Sequence, residues 1–315
     1  MSWAEPAPGP ARRILCAGII VLDEVFLVEE FPQADGKVQA KGFFVVNGGC
    51  AANAAVAVAR LGGRAALAGP MGGPAGEDDA GDRVLRALAR EQVDCTFCRR
   101  IDGSSTALSA IFMNARGDRT IVTHRDERIA AAVPSDPDAI IAGADVVMAD
   151  NRYPSFVRPI CEAALRRKTP VVLDADRPTI EGDPLFALAT HVIFSSECLR
   201  QTTGQADLGA GLRRIALRTG AFLAVSNGPD DILYLDGESL RRLPVFRIAA
   251  VDTLGAGDAL HGGFALALAE GRDEVAAMRF GAAVAGLKCS RLGGSAGAPS
   301  RAEVADLMAA QPSPA

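Results

Sequence analysis

The chain has 315 residues, of which 49% are hydrophobic and 23% charged. That is a globular composition, with enough apolar mass for a core that needs no disulfide or metal staple. A net charge of −5 speaks against nucleic acid or an anionic membrane as the main partner, and no apolar run reaches the roughly 18 residues needed to span a bilayer. Met1–Pro10 carries Pro and Gly where a signal peptide has its apolar stretch, and reads as a loose tail. The seven cysteines are scattered, and Cys95-x-x-Cys98 has no second pair at zinc spacing. They read as idle thiols in a reducing compartment, the cytoplasm.

In chain order, Ile14–Leu22 is a continuous apolar run, as expected of a strand buried on both faces of a parallel sheet. Gly36–Val46 and Ala107–Thr123, the latter punctuated at Arg116-Gly117-Asp118, read as half-exposed antiparallel strands of a small sheet standing off the body, a lid. Further buried strands are predicted at Val146–Ala149, Pro170–Leu173, Val192–Phe194 and Phe222–Val225, closing on Asp150, Asp174, Ser195 and Ser226. Helical patterns such as Phe156–Arg167 and Leu208–Arg218 lie between them. This alternation predicts βαβ units in a doubly wound α/β sheet, with Asp23 and the four strand-end residues along one rim. There is no internal repeat, and the chain reads as frayed after Ala309.

Two motifs carry chemistry. In Asp252-Thr253-Leu254-Gly255-Ala256-Gly257-Asp258, ahead of the helical run Ala259–Glu270, the glycines let backbone N–H groups point outward at a helix start, a ready anion site. Asp258 falls in the first helical turn. With an empty loop it is a helix cap; with a phosphate there, it can take the proton of an attacking hydroxyl. In Asn47-Gly48-Gly49-Cys50-Ala51-Ala52-Asn53, ahead of the small-residue helix Ala54–Leu61, paired glycines allow close approach of a ligand and Asn53 offers an amide to a hydroxyl. Taken alone, the second motif reads first as tight helix–sheet packing through Ala and Gly, and only second as a ligand site. Neither a Walker A loop nor a G-x-G-x-x-G fingerprint occurs, which disfavours a dinucleotide oxidoreductase.

In this order the motifs resemble the two fingerprints of the ribokinase (phosphofructokinase-B) family of ATP-dependent sugar kinases. The opening Gly18-x-x-x-x-Asp23 and the stretch Arg279-Phe280…Lys288-Cys289-Ser290-Arg291 fit as well. Within the family, the first strand and Phe280–Cys289 look most similar to ketohexokinases and sulfofructose kinases. The resemblance implies a three-layer, mostly parallel sheet over residues 14–308, with lid strands inserted at about 34–47 and 105–125 and flexible tails at 1–13 and 309–315. It implies Asp258 as base and Gly255, Ala256 and Gly257 as the anion hole. Asp23, Asp35, Lys37, Gly48, Gly49, Asn53 and Arg152 would meet the sugar; Ser226, Gly228, Thr253, Gly255 and Gly257 would meet the nucleotide. ATP and Mg2+ are implied, and K+ on carbonyls near Asp252, Leu254 and Ser290–Gly293. Relatives hold magnesium through water with the Glu of an N-x-x-E, but here Ser195-Ser196-Glu197-Cys198 puts Cys198 in that slot, so no protein metal ligand is assigned. Of the histidines, His261 lies three residues after Asp258 and reads as a packing or hydrogen-bonding residue.

The function expected is transfer of the γ-phosphate of ATP to a primary hydroxyl of a ketose-like sugar by a homodimer paired through its lids. A nucleoside kinase of the same fold would want aromatic side chains for a base, and this chain has 5% aromatics. A silent sugar-binding regulator would be expected to have lost Asp258. A neutral, fructose-type ketose ranks ahead of an anionic one such as 6-sulfofructose or a sugar phosphate. The anionic reading rests on Lys37, one of only four lysines, and Arg152 as cations at two ends of the pocket. Against it, Thr123 stands where sulfofructose kinases carry a polar amide. The plainer reading makes Lys37 a solvated edge residue and pairs Arg152 with Asp150 or Asp174.

Overall fold

The structure, a computed structural model, describes residue 3, residues 9–114 and residues 117–312. Among these, thirteen strands follow in chain order: β1 (Arg13–Ala17), β2 (Val21–Leu27), β3 (Gly42–Gly48), β4 (Arg64–Gly73), β5 (Asp94–Asp102), β6 (Ala107–Met113), β7 (Arg119–His124), β8 (Val146–Asp150), β9 (Val171–Ala175), β10 (His191–Ser195), β11 (Phe222–Asn227), β12 (Asp230–Asp236) and β13 (Ser239–Leu243). Nine form one sheet in the order β13-β12-β11-β10-β9-β8-β1-β4-β5, and four form a second in the order β3-β2-β6-β7. From β11 to β5 every pairing in the large sheet is parallel, and β12 and β13 add an antiparallel edge.

The central strands are apolar on both faces because helices cover both. Ile14 and Cys16 of β1 point into a layer shared with the helices Cys50–Arg60, Ala256–Ala269 and Glu274–Cys289. Leu15 and Ala17 point into the opposite layer, against the helix Pro154–Arg166. This is the three-layer, doubly wound α/β arrangement expected. No helix among the described residues is long and apolar enough to cross a membrane.

The run Ile14–Leu22, expected as one strand, is divided between the two sheets. At Gly18 the chain leaves β1, with its N–H on Ala68 O at 2.9 Å and the next N–H, of Ile19, on the Asp150 carboxylate at 2.7 Å. From Val21 it pairs with β3 and β6. Hydrophobicity could not reveal the break, because Ile19, Ile20, Val21 and Leu22 stay buried at the root of the lid. Asp23 therefore lies on a lid strand and not on the rim of the main sheet. The first lid segment also starts later than expected. Residues 34–41 form no strand: Asp35 has φ 58°, the Gly36 N–H turns back to Gln33 O at 3.0 Å, and pairing begins where the Lys41 N–H meets Leu27 O at 2.7 Å. The second segment is the pair β6 and β7. Strands β4 and β5 and the β12–β13 pair escaped the sequence reading; Gly, Pro and Ala in β4 and mixed polarity in the others mask their periodicity.

Arg116 of the expected lid turn, and residues 1, 2, 4–8 and 313–315 of the expected tails, lie outside the described residues. Inside them Trp3 stacks on Phe280 with ring centroids 4.9 Å apart, and the helix Arg301–Ala310 runs past the expected fraying point at Ala309.

Candidate active site

Strand β1 sits between β4 and β8, and the chain winds away from it in both directions. The carboxyl ends of β1 and β8 are therefore the topological switch point, where ligands sit in such sheets. Here the fully buried Asp150 carboxylate accepts the N–H groups of Ile19 (2.7 Å), Ala51 (3.3 Å) and Arg152 (2.9 Å). It ties the lid root and the helix that follows Gly48-Gly49 to the end of β8. Burial pushes its pKa up to about 6 against the pull of these donors.

The two motifs meet above this staple. Asn53 Nδ2 donates to Asp258 Oδ2 at 2.7 Å, across 205 positions of sequence. Asn53 is 5% exposed, and its Oδ1 is buried with no partner, an acceptor left open beside Asp258. Gly255, in the left-handed region at φ 77°, starts the helix Ala256–Ala269, which places Asp258 in its first turn. Among the described residues the N–H groups of Gly255 and Gly257 have no partner; that of Ala256, expected in the anion hole with them, is on Thr253 O at 3.2 Å.

Asp23 reaches the same space from the lid. Burial raises its pKa to about 7, the hydroxyl of Ser109 opposing and the Asp258 charge adding to the rise. The paired glycines are set by close packing: a Cβ on Gly48 would fall 2.0 Å from Asp23 Oδ2, and one on Gly49, at φ 96°, would fall 2.3 Å from Ile19 O. Asp35 and Lys37 are both exposed in the turn ahead of β3, and no hydrogen bond or ion pair ties either to the site.

Below Asp258, Asp174 lies beside Asp150 at the end of β9, with a pKa pushed up to about 6, chiefly by burial. His261 puts Nδ1 2.7 Å from Gly257 O, and Nε2 3.3 Å from Ile193 O and 3.5 Å from Asp174 Oδ1. It is a hydrogen-bonding residue on the buried side of the helix Ala256–Ala269. One ligand atom each of Cys50, Asp174 and Asp258 lie within 4.8 Å of one another. As a metal site the trio is poor: burial holds the Cys50 thiol well above its usual pKa, and Asn53 and His261 already hold the carboxylates. At the expected magnesium position Cys198 is buried, its thiol pushed up to about 11, while Glu197 is exposed and bonded by Gln201.

Of the residues expected to meet the nucleotide, Ser226 lies one position before the end of β11, in register with Ser195 at the end of β10, Gly228 follows in a turn at φ 61°, and Thr253 is exposed beside Arg119. The loop that carries Thr253 hangs from Asp252, a residue the sequence reading did not weigh with Lys288. Both side chains are fully buried; Lys288 Nζ donates to Asp252 O at 2.7 Å and lies 3.0 Å from Oδ2. The Gly293 and Gly294 N–H groups reach the same oxygen at 3.0 Å. The face of Asp252 expected to help hold K+ is thus filled by the chain's own ammonium and amides, and the residues there do not fit a second cation.

Comparison with known proteins places the chain in a family. The family model described as pfkB family carbohydrate kinase matches residues 11–301. The chain is 28% identical to the ribokinase of Bacillus subtilis over 303 residues, spanning 94% of this chain and 99% of the relative. It is 26% identical to the ketohexokinase of Mus musculus, spanning 90% and 97%. A crystal structure from Agrobacterium tumefaciens, provisionally assigned as a ribokinase, superposes with a TM-score of 0.90 at 35% identity, covering 96% of this chain and 98% of the other.

Proposed function

The chain belongs to the pfkB family of carbohydrate kinases, and on that premise we propose that it transfers the γ-phosphate of ATP to a primary hydroxyl of a ketose-like sugar, with Asp258 as general base. The observation that carries this reading is the Asn53–Asp258 pair beside the open N–H groups of Gly255 and Gly257. Phosphoryl transfer asks a protein for positioning, charge stabilisation and exclusion of water. Asp258 removes the proton of the attacking hydroxyl as its oxygen bonds to the γ-phosphorus and the bond from that phosphorus to the bridging oxygen of the β-phosphate breaks, with ADP as the leaving group. The loop N–H groups and the helix start hold the charge that builds on the transferred group. Asp23 on the lid and Asn53 Oδ1 orient the sugar, and closure of the lid sheds water. Magnesium supplies charge neutralisation on the ATP phosphates and would be held there mainly through water. The nucleotide would lie against Ser226, Gly228 and Thr253, and the free thiols suit the reducing cytoplasm. ATP consumption across a panel of sugars, in wild type and Asp258→Asn, tests the reading.

The raised pKa of Asp23 gives a pH signature. A carboxylate that accepts sugar hydroxyls must be ionised, and in the free protein Asp23 keeps its proton up to about pH 7. Because kcat/KM reports the free enzyme, kcat/KM for the sugar should climb through this range, by about tenfold per unit at its steepest, and then level. Asp23→Asn should weaken sugar binding and abolish the limb; an unchanged limb in that variant would assign it to another group. The stability linkage has the opposite sense. The folded state binds the proton more tightly than the unfolded one, so the stability tied to Asp23 is lost as pH rises from the usual carboxylate range towards 7.

We also propose that two copies pair through their lids. The outer lid face carries Phe26, Phe43 and Phe112 in contact, with Phe43 54% and Val122 62% exposed, and β3 and β7 are open edges. Light scattering at micromolar concentration should report a dimer, and Phe43→Asp a folded monomer. A monomeric wild type in the same measurement removes the lid contact.

A further inference from the structure

Three arginines from separate elements gather on the lid side of the site. Arg152 follows Asp150 at the end of β8, Arg177 follows β9, and Arg125 follows lid strand β7. The first two are fixed by the backbone. The Arg152 N–H is on Asp150, and Asn151 holds Arg177 from both sides, its Nδ2 donating to Arg177 O at 2.7 Å and its Oδ1 accepting the Arg177 N–H at 3.0 Å. Arg177 Nη1 reaches Arg152 O at 3.4 Å. Arg125 is within electrostatic reach of both, and burial together with their charges holds it below its usual pKa.

Like charges gathered this way normally come with carboxylates to match. Arg152 is ion-paired with Asp176 and also feels the charges of Asp150 and Asp174, the partners of the plainer sequence reading, and Asp126 is turned to Arg128. Among the described residues Arg125 and Arg177 form no ion pair. Nε of Arg125, Nε of Arg152 and the hydroxyl of Tyr153 are buried with no hydrogen-bond partner, and Tyr153 is only 2% exposed. Buried donors are rarely left open in a protein interior. The cluster also adjoins the chemistry. The Cys50 thiol lies beside Arg152 and within 4.8 Å of the Asp174 and Asp258 oxygens. One sugar can therefore present a hydroxyl to Asp258 and its far end to the arginines.

We propose that the accepted sugar carries an oxyanion, a phosphate or sulfonate, at the end remote from the hydroxyl that is phosphorylated, and that Arg125, Arg152, Arg177 and Tyr153 receive it. Its several acceptor oxygens match the open donors, and planar guanidinium groups are suited to such anions. Lys37, the other cation singled out from the sequence, has no part in this cluster. The inference deepens the sugar-kinase reading and depends on it for turnover, though not for binding.

The test compares D-fructose with D-fructose 6-phosphate and 6-deoxy-6-sulfofructose, and D-ribose with D-ribose 5-phosphate. At least one anionic sugar should exceed its neutral parent in kcat/KM by about 100-fold or more, and which one identifies phosphate or sulfonate. Arg125→Gln and Arg177→Gln should each reduce that ratio by about tenfold or more, mainly through KM. Arg125→Lys should recover part of the loss and Tyr153→Phe should cost less. Calorimetric binding of the same sugars to Asp258→Asn protein separates the two readings. Tight binding of an anionic sugar that Arg125→Gln abolishes, with no wild-type turnover, sustains the arginine site and removes the kinase assignment. Turnover and binding that favour the neutral sugars, indifferent to the arginine variants, overturn the arginine site alone.

Discussion

Asp258→Asn should lower kcat by about 10²–10⁴ and leave nucleotide binding near its wild-type strength, the range for losing a positioned general base. An amide in this place still accepts the bond that Asn53 Nδ2 now gives to Oδ2 at 2.7 Å, so the helix start and the glycine turn before it keep their shape. What disappears is the group that takes the proton of the attacking hydroxyl. The loss should therefore fall on turnover, while the affinity for ATP, set by the loop N–H groups and the ends of β10 and β11, changes little. Titration with a fluorescent ATP analogue, beside steady-state kinetics on the preferred sugar, separates the two. Wild-type turnover in the variant would reduce Asp258 to a helix cap. A large loss of ATP affinity would make it a nucleotide-positioning residue instead. Asn53→Ala is the companion experiment. It removes the donor but keeps the base, and should cost less than Asp258→Asn, with more of the loss in KM for the sugar.

That contact also shows what the chain discloses on its face. Gly48-Gly49 and Asn53 are legible as a place where a ligand can approach the backbone, and Gly255–Asp258 as an anion site, because both depend on glycine and on a helix start within a few residues. That Asn53 and Asp258 touch is a long-range consequence of the parallel sheet and could be reached only through the family resemblance. Alternating short strands and helices likewise disclosed the layers, since each buried strand is a compact apolar run. The same criterion failed at Gly18. The run stays apolar through the crossover from main sheet to lid, and the break is made by hydrogen bonds to Ala68 and Asp150. It failed again for the arginines. Lys37 drew notice because lysine is scarce, whereas Arg125 and Arg177 were hidden among many arginines and gain meaning only where three elements converge. Lys288 was visible within the Lys288–Arg291 stretch, but its burial against Asp252 depends on the Glu274–Cys289 helix ending beneath the anion-hole loop.

Lys288→Met should be among the most destabilising single changes in the chain. Both members of the Lys288–Asp252 pair are 0% exposed, and removing one partner of a buried ion pair costs about 3–5 kcal/mol, because the other charge is left without compensation. For a domain of this size that corresponds to a fall in Tm of about 5–8 °C. Asp252 also accepts the N–H groups of Leu254 (2.8 Å), Gly293 and Gly294 (both 3.0 Å). Burial pushes its pKa up, but these donors and the Lys288 ammonium outweigh that and hold it below the usual carboxylate range. The stability it contributes is therefore present at neutral pH and lost as pH falls through that lowered value. Without Lys288 the carboxylate would be drawn towards protonation or solvent, and the loop that carries Thr253 to Asp258 would loosen with it. In protein that still folds, kcat should fall more than ATP affinity, since an anion hole that is out of place harms the transition state most. The double variant Lys288→Met/Asp252→Asn discriminates between causes. With both charges gone, a substantial part of the stability should return, because the penalty in the single variant is the orphaned carboxylate. Turnover should return less, because an asparagine cannot hold three N–H groups as a carboxylate does. Equal recovery of both would make the pair a packing element with no part in setting the anion hole, and an unchanged Tm in Lys288→Met would mean that the ammonium is not buried against Asp252 in solution.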